Sequence, residues 1–141
     1  MKRLLLAALI GTAALVSFSS CKKEYVTNYL PGVSYTFDAP SDKINWEHIE
    51  NTNSFILEVP FPELDDAYYN YGTVQIAIKT KKQPNQFEII PAKIDEYSYS
   101  ANYSVGKIRI YAENLTGDDV IYAPDQLSIK VTLTDADNGG N

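Results

Sequence analysis

Apolar residues alternate with polar or small ones along most of this chain, in short runs that turn residues separate. Seven runs follow this period of two, at 33–37, 55–59, 74–78, 87–94, 97–103, 108–112 and 127–133. Successive side chains of a strand point to opposite faces, so each run predicts a half-buried β-strand. Gly72, Pro84-Asn85 and Gly106 are typical of the turns between them. Pro91 interrupts the run 87–94 and predicts an edge strand or a bulge there.

These runs, without any long amphipathic pattern, predict an all-β fold: a single β-sandwich of about seven strands over residues 33–134. We expect an immunoglobulin-like layout that lacks the disulfide of that fold. The acidic segment Glu63–Tyr69 follows Pro62 and predicts one helical turn. A second turn is expected at Asn45–Ile49. The polar, glycine-containing residues 135–141 are expected to form a frayed tail.

The first 20 residues have the three parts of a secretory signal. Lys2 and Arg3 are basic, residues 4–18 carry no charge and are mostly apolar, and Ser19 and Ser20 are small. This order predicts a signal peptide that is cleaved. A retained membrane helix is the weaker interpretation, because fifteen residues at ~1.5 Å each reach only ~22 Å of a ~30 Å hydrocarbon core.

Cys21 decides which kind of signal this is. The segment Ser17-Phe18-Ser19-Ser20-Cys21 resembles the lipobox of bacterial lipoproteins, which implies that the Cys21 thiol carries a lipid and that cleavage occurs just before it. Residues 21–32 then form the lipidated start and a tether. The alternative is an ordinary signal followed by a free or disulfide-bonded thiol. Cys21 is the only cysteine in the chain, which argues against an internal disulfide.

The net charge of the chain limits the classes of molecule that the domain is expected to bind. Removal of the first 20 residues, with Lys2 and Arg3, takes the formal net charge from −6 to −8. An acidic domain repels nucleic acid and anionic lipid surfaces, so we expect the membrane to be reached only through the lipid on Cys21.

The chain has few residues of the types that catalysis and metal binding use. His48 is the only histidine, and with Cys21 lipidated no thiol remains as a nucleophile or as a zinc ligand. Three carboxylate doublets remain: Asp65-Asp66, Asp95-Glu96 and Asp118-Asp119. Adjacent strand residues point to opposite faces, so these doublets are better explained as turn residues, with Asp118-Asp119 the best metal candidate of the three. We expect no enzyme, no metal and no cofactor.

The eleven tyrosines are the feature that favours a function. Tyrosine and tryptophan give large contact areas at low entropic cost, so a surface that includes Tyr68, Tyr69, Tyr71 and Trp46 is the candidate for binding a glycan or a protein. The simpler interpretation is that tyrosines at a period of two pair across strands and line the core edge. It explains Tyr68, Tyr69 and Tyr71 least well, because they lie in a turn region.

Several loose motifs resemble the small lipoproteins that are abundant in Bacteroidota. They are Cys21-Lys22-Lys23-Glu24, Trp46, Pro62-Glu63-Leu64, Gly72-Thr73-Val74, Tyr97-Ser98-Tyr99 and Val105-Gly106-Lys107-Ile108. The resemblance implies an outer-membrane lipoprotein, at the periplasmic face or the cell surface, and brings no catalytic residue with it. We therefore expect a non-catalytic module that binds a protein or a glycan at the cell envelope. The alternative is a structural subunit of an envelope assembly, joined by strand exchange at an exposed edge.

Overall fold

The computed structural model describes residues 32–135. The predicted signal peptide, Cys21, most of the tether and residues 136–141 lie outside this range. The described part contains nine strands and one short helix. In chain order they are β1 (Gly32–Ala39), β2 (Trp46–His48), β3 (Ser54–Pro60), α1 (Asp66–Tyr71), β4 (Thr73–Lys79), β5 (Glu88–Ile89), β6 (Ala92–Ile94), β7 (Tyr97–Ser104), β8 (Lys107–Asn114) and β9 (Leu127–Thr134).

Two antiparallel sheets form a β-sandwich, as the alternation predicts. The four-stranded sheet has the order β1-β9-β4-β5, and the five-stranded sheet has the order β2-β3-β8-β7-β6. The strand predicted over 87–94 is divided at Pro91, and its halves β5 and β6 are edge strands of different sheets. The first strand, β1, pairs with the last, β9, in register from Gly32 opposite Thr134 to Ala39 opposite Leu127.

The core lies between the sheets and is built from alternate positions of the strands. β9 alternates buried Leu127, Ile129, Val131 and Leu133 with half-buried polar residues, and β8 and β3 show the same alternation. Burial of each such side chain contributes roughly 1.5–3 kcal/mol relative to its exposure. β4 departs from the period, because Ile76, Ala77 and Ile78 are all buried.

The two predicted helical turns have different outcomes. α1 confirms the first, at Asp66–Tyr71, and Asp65 begins it by accepting hydrogen bonds from the backbone N–H groups of Ala67 and Tyr68, both at 3.0 Å. The expected turn at Asn45–Ile49 is wrong. Trp46–His48 form strand β2, in register with Leu57–Phe55 of β3. Pairing with β3 and packing of Trp46 against the core decide the conformation of this short segment.

The sandwich has two distinct ends. The α1 end contains α1, the first residues of β1 and β4, the last residues of β9, and the β7–β8 turn. Gly106 of that turn donates a backbone hydrogen bond to the Leu64 carbonyl at 2.7 Å and accepts one from Phe61 N–H at 2.8 Å. The far end contains the β6–β7 turn and the irregular segment 115–126. Among residues 32–135, no helix has the length and apolar character needed to cross a bilayer.

Candidate functional site

The three tyrosines of α1 do not share one surface. Tyr68 is half-buried and packs against the core, near Tyr35 of β1 and Asp135. Tyr69 turns toward the β7 strand, where its ring meets that of Tyr103 edge-on at a centroid distance of 6.2 Å. Tyr71 is 59% exposed. A helix advances about 100° per residue, so Tyr69 points about 100° away from Tyr68 and about 160° away from Tyr71.

Trp46 belongs to a different element from these tyrosines. It lies on β2, at the edge of the five-stranded sheet, opposite Leu57 and packed against the core. Its indole N–H is enclosed and has no hydrogen-bond partner in the described residues. The structure therefore gives Trp46 a packing role and leaves its polar group turned away from solvent.

His48 and the Asp118-Asp119 doublet line one wide, open hollow at the far end, together with residues 51–53. The imidazole Nε2 lies 2.8 Å from the backbone oxygen of Thr52. Within residues 32–135, no carboxylate hydrogen-bonds to this ring, and no three His, Cys, Asp or Glu side chains are placed to hold a metal ion. Among the described residues of the hollow, the imidazole thus has a backbone oxygen, and not a carboxylate, as its hydrogen-bond partner.

A smaller and better enclosed cavity lies elsewhere at the far end, between the β6–β7 turn and the segment 115–126. Its volume is about 190 Å³, and its lining includes Asp95, Glu96, Tyr97, Tyr99, Tyr122 and Asp125. The Asp95-Glu96 doublet forms the turn between β6 and β7. Both of its residues line the cavity, and Asp95 has φ = 53°, a left-handed conformation that an aspartate adopts more readily than most residues.

Two tyrosines of β7 form the inner part of this cavity. Tyr97 donates a hydrogen bond to the carbonyl oxygen of Tyr122 at 2.9 Å, and its ring lies 5.9 Å from that of Tyr99. Tyr99 is only 2% exposed. Burial raises the pKa of the Tyr99 hydroxyl, and the nearby Tyr97, Asp95 and Asp125 act in the same direction. Burial also raises the pKa of Tyr97, against a hydrogen bond with Asn114 that lowers it.

An apolar groove runs along β1, on the opposite side of the sandwich from β5 and β6. Aromatic and aliphatic side chains form its floor: Tyr35, Phe37, Ile44, Val59 and Phe61. The Phe61 ring meets Tyr35 edge-on at 5.2 Å and lies 6.4 Å from Phe37. Asp38 and Glu63 are its charged lining residues, and its volume is about 610 Å³.

Sequence reasoning points to neither the cavity nor the groove. It assigns Tyr97 and Tyr99 to strand packing and Asp95-Glu96 to a solvated turn, and both interpretations are locally correct. No period or motif indicates that segment 115–126 covers the end of β7. Comparison with protein-family models, curated proteins and solved structures finds no match to this chain. The function is therefore argued from the geometry of these surfaces.

Proposed function

We propose that this protein is a lipid-anchored, non-catalytic interaction module of the cell envelope, which captures an extended segment of a partner protein along strand β1. The anchor is the lipid on Cys21, and the outer membrane is the compartment. The signal-like first 20 residues and the lipobox-like segment before Cys21 support this part of the proposal.

The free edge of β1 is the observation that carries the proposal. β1 has eight residues and pairs only with β9, so the polar backbone groups of its other edge have no strand beside them within the described residues. Its one charged residue is Asp38. Natural proteins protect edge strands with lysines, prolines, bulges or shortness. The other edge strands, β2, β5 and β6, have only two or three residues each.

The groove beside this edge supplies side-chain recognition. A strand that pairs with β1 points every second side chain toward the floor formed by Tyr35, Phe37 and Phe61, which suits alternating apolar residues. A groove volume of about 610 Å³ lies within the ~300–1,000 Å³ that is typical of binding sites. Asp38 and Glu63 favour a basic residue at the end of the incoming segment.

The test uses a synthetic peptide of alternating valine and threonine with a terminal lysine as the probe. We expect it to bind the full chain, held in detergent, and to slow amide hydrogen exchange in 33–38 but not in β5 or β6. Thr36→Lys places a charge on the exposed face of the free edge and should abolish binding. Gln75→Lys is the matched control, because Gln75 lies exposed on the inner strand β4 of the same sheet, and it should bind as the unchanged chain does.

Two results of the peptide experiment would contradict the capture of a strand by β1. Binding that is equal for Thr36→Lys and Gln75→Lys, or equal for a peptide with proline at alternate positions, would show that β1 does not accept a strand. The lipid on Cys21 is tested separately. Labelled palmitate should be incorporated into the chain in bacterial cells, and it should not be incorporated into the variant Cys21→Ser.

A structural subunit of an envelope assembly is the second candidate, and the same free edge favours it. In that case the incoming strand belongs to another copy of the chain or to an assembly component. Sedimentation of the chain at increasing concentration distinguishes the two. Self-association that Thr36→Lys removes and Gln75→Lys retains would favour the structural role, whereas a monomer that binds the peptide favours the interaction module.

A further inference from the structure

We infer that the far-end cavity is a second binding site, which takes one ring of a neutral sugar. The cavity lies at the opposite end of the sandwich from Gly32, where the chain enters the domain, and it shares no residue with the β1 groove. The inference is independent of partner capture at β1.

The Tyr99 hydroxyl is the observation that points to a ligand. Tyr99 is 2% exposed and lines the cavity, and its hydroxyl makes no hydrogen bond to any residue of the described range. A phenol in this position can both donate and accept a hydrogen bond. The hydroxyl oxygen is not among the enclosed polar atoms of the described residues, so it faces the solvent of the cavity, where a hydroxyl group of a ligand can replace water as its partner. Tyr97, by contrast, has its hydroxyl engaged with Tyr122.

The charges of the lining disfavour a ligand that carries charge of one sign only. Asp95, Glu96 and Asp125 are acidic, whereas Lys81 and Lys82 are basic, and all five contribute to the lining. A cation would meet the two ammonium groups and an anion would meet the three carboxylates, in a chain whose net charge is already −6. A neutral ligand with many hydroxyl groups uses both kinds of partner, since carboxylates accept hydrogen bonds and ammonium groups donate them.

The size and rim of the cavity fit a single ring. At about 190 Å³ the cavity is below the ~300 Å³ at which pockets for drug-sized ligands begin. Tyr122, which is 73% exposed, belongs to the lining and contributes an accessible aromatic ring. The C–H face of a pyranose packs on such a ring while its hydroxyls reach polar groups around it. The segment that carries Tyr122 is held to β7 by the Tyr97 hydrogen bond.

The experiment titrates the full chain with methyl glycosides of glucose, galactose and mannose and records amide chemical shifts, in a detergent without a sugar headgroup. At least one glycoside should shift amides of Asp95–Tyr99 and Tyr122 and leave those of β1 unchanged. Tyr99→Phe removes only the hydroxyl and should weaken binding about tenfold, the effect of one lost hydrogen bond. Tyr103→Phe is the control on the same strand, because Tyr103 packs on Tyr69 at the α1 end, and it should bind unchanged.

Three results would overturn the inference. The first is the absence of shifts at the cavity with every glycoside at millimolar concentration. The second is that methylammonium or inorganic phosphate, rather than a glycoside, shifts these amides. The third is that Tyr99→Phe and Tyr103→Phe bind equally well. Because Tyr99→Phe keeps the buried ring, we expect it to fold, and unchanged thermal unfolding checks this.

Discussion

The phenolic oxygen of Tyr97 donates a hydrogen bond to the backbone oxygen of Tyr122, 2.9 Å away and twenty-five positions further along the chain. Tyr122 lies in the middle of segment 115–126, which has no regular secondary structure. Near the ends of this segment, Leu115 N–H donates to the Glu96 carbonyl and the Gln126 amide donates to the Pro40 carbonyl. The Tyr97 bond therefore fixes the part of the segment that covers the cavity.

Tyr97→Phe should loosen this cover. The expected loss of unfolding free energy is about 0.5–1.5 kcal/mol, typical of one hydrogen bond, with faster amide exchange in residues 119–123. Urea unfolding and hydrogen exchange measure the two effects. Tyr111→Phe is the control, because the Tyr111 hydroxyl accepts an exposed hydrogen bond from Asn102. Unchanged exchange in 119–123 would contradict the role of Tyr97.

Alkaline pH should destabilise the protein through its tyrosines. Burial raises the pKa of Tyr68, Tyr97 and Tyr99. The unfolded chain ionises its tyrosines near pH ~10, whereas the folded state holds these three neutral to a higher pH. Their contribution to stability is therefore complete below pH ~10 and is lost as pH rises through the folded pKa values. Urea midpoints measured across this range should fall, and tyrosinate absorbance should show that part of the ionisation accompanies unfolding.

The same titration separates Tyr99 from the others. Tyr99→Phe removes one of the three groups and should make the decline of the urea midpoint less steep. If the unchanged chain keeps a constant midpoint well above pH ~10, the tyrosines are not held neutral by the fold. A decline that is identical in Tyr99→Phe would assign the effect to other residues.

Gly72→Ala should disturb the junction between α1 and β4. A Cβ atom on Gly72 would lie 2.9 Å from Cδ1 of Tyr68 and 3.0 Å from the backbone oxygen of Thr134. Overpacking of this kind costs about 1–3 kcal/mol. Gly32→Ala is the matched control, because its Cβ would meet Thr134 and Leu133 at 3.6 Å and 3.7 Å, which are ordinary contacts. Thermal unfolding of both variants decides the matter, and equal midpoints would speak against the close approach.

Leu64→Ala should be the more damaging of two leucine truncations. Leu64 is fully buried in the connection from β3 to α1, and its carbonyl accepts the hydrogen bond from Gly106. Removal of a buried leucine side chain costs about 2–5 kcal/mol. Leu115→Ala, at a residue that is 44% exposed, should change the unfolding free energy by less than about 1 kcal/mol. Urea unfolding of the pair compares them, and similar losses would mean that Leu64 is not part of the cooperative core.

The alternation of side chains predicts the strands because each sheet has one face on the core. This alternation predicts strands β3, β8 and β9 close to their observed positions, and Pro91 correctly predicts the interruption between β5 and β6. It fails at Trp46–His48, where three residues are too few to show a period and pairing with β3 decides the conformation. It also does not explain Ala77, which is buried on the outer side of β4. There Phe87 lies under the ammonium groups of Lys79 and Lys130, at 5.0 Å and 5.1 Å.

The candidate sites were harder to predict, because they depend on which strand ends meet. The three tyrosines of α1 look like a cluster in the sequence, yet the helix turns Tyr69 away from the other two, and Tyr68 packs against the core. Tyr99 looks like any core residue of a strand. Its unpaired hydroxyl becomes visible only when the β6–β7 turn and the segment of Tyr122 are seen to enclose one space.

The pairing of β1 with β9 also governs when the domain can form. Thr134 must be present before Gly32 has its partner, because these residues lie opposite each other at one end of the β1–β9 pairing. Synthesis delivers Gly32 long before Thr134, so the growing polypeptide leaves the ribosome with both edges of β1 unpaired. The four-stranded sheet is completed only after the last strand emerges. The docking of β9 between β1 and β4 is therefore the last pairing that this sheet can make during synthesis.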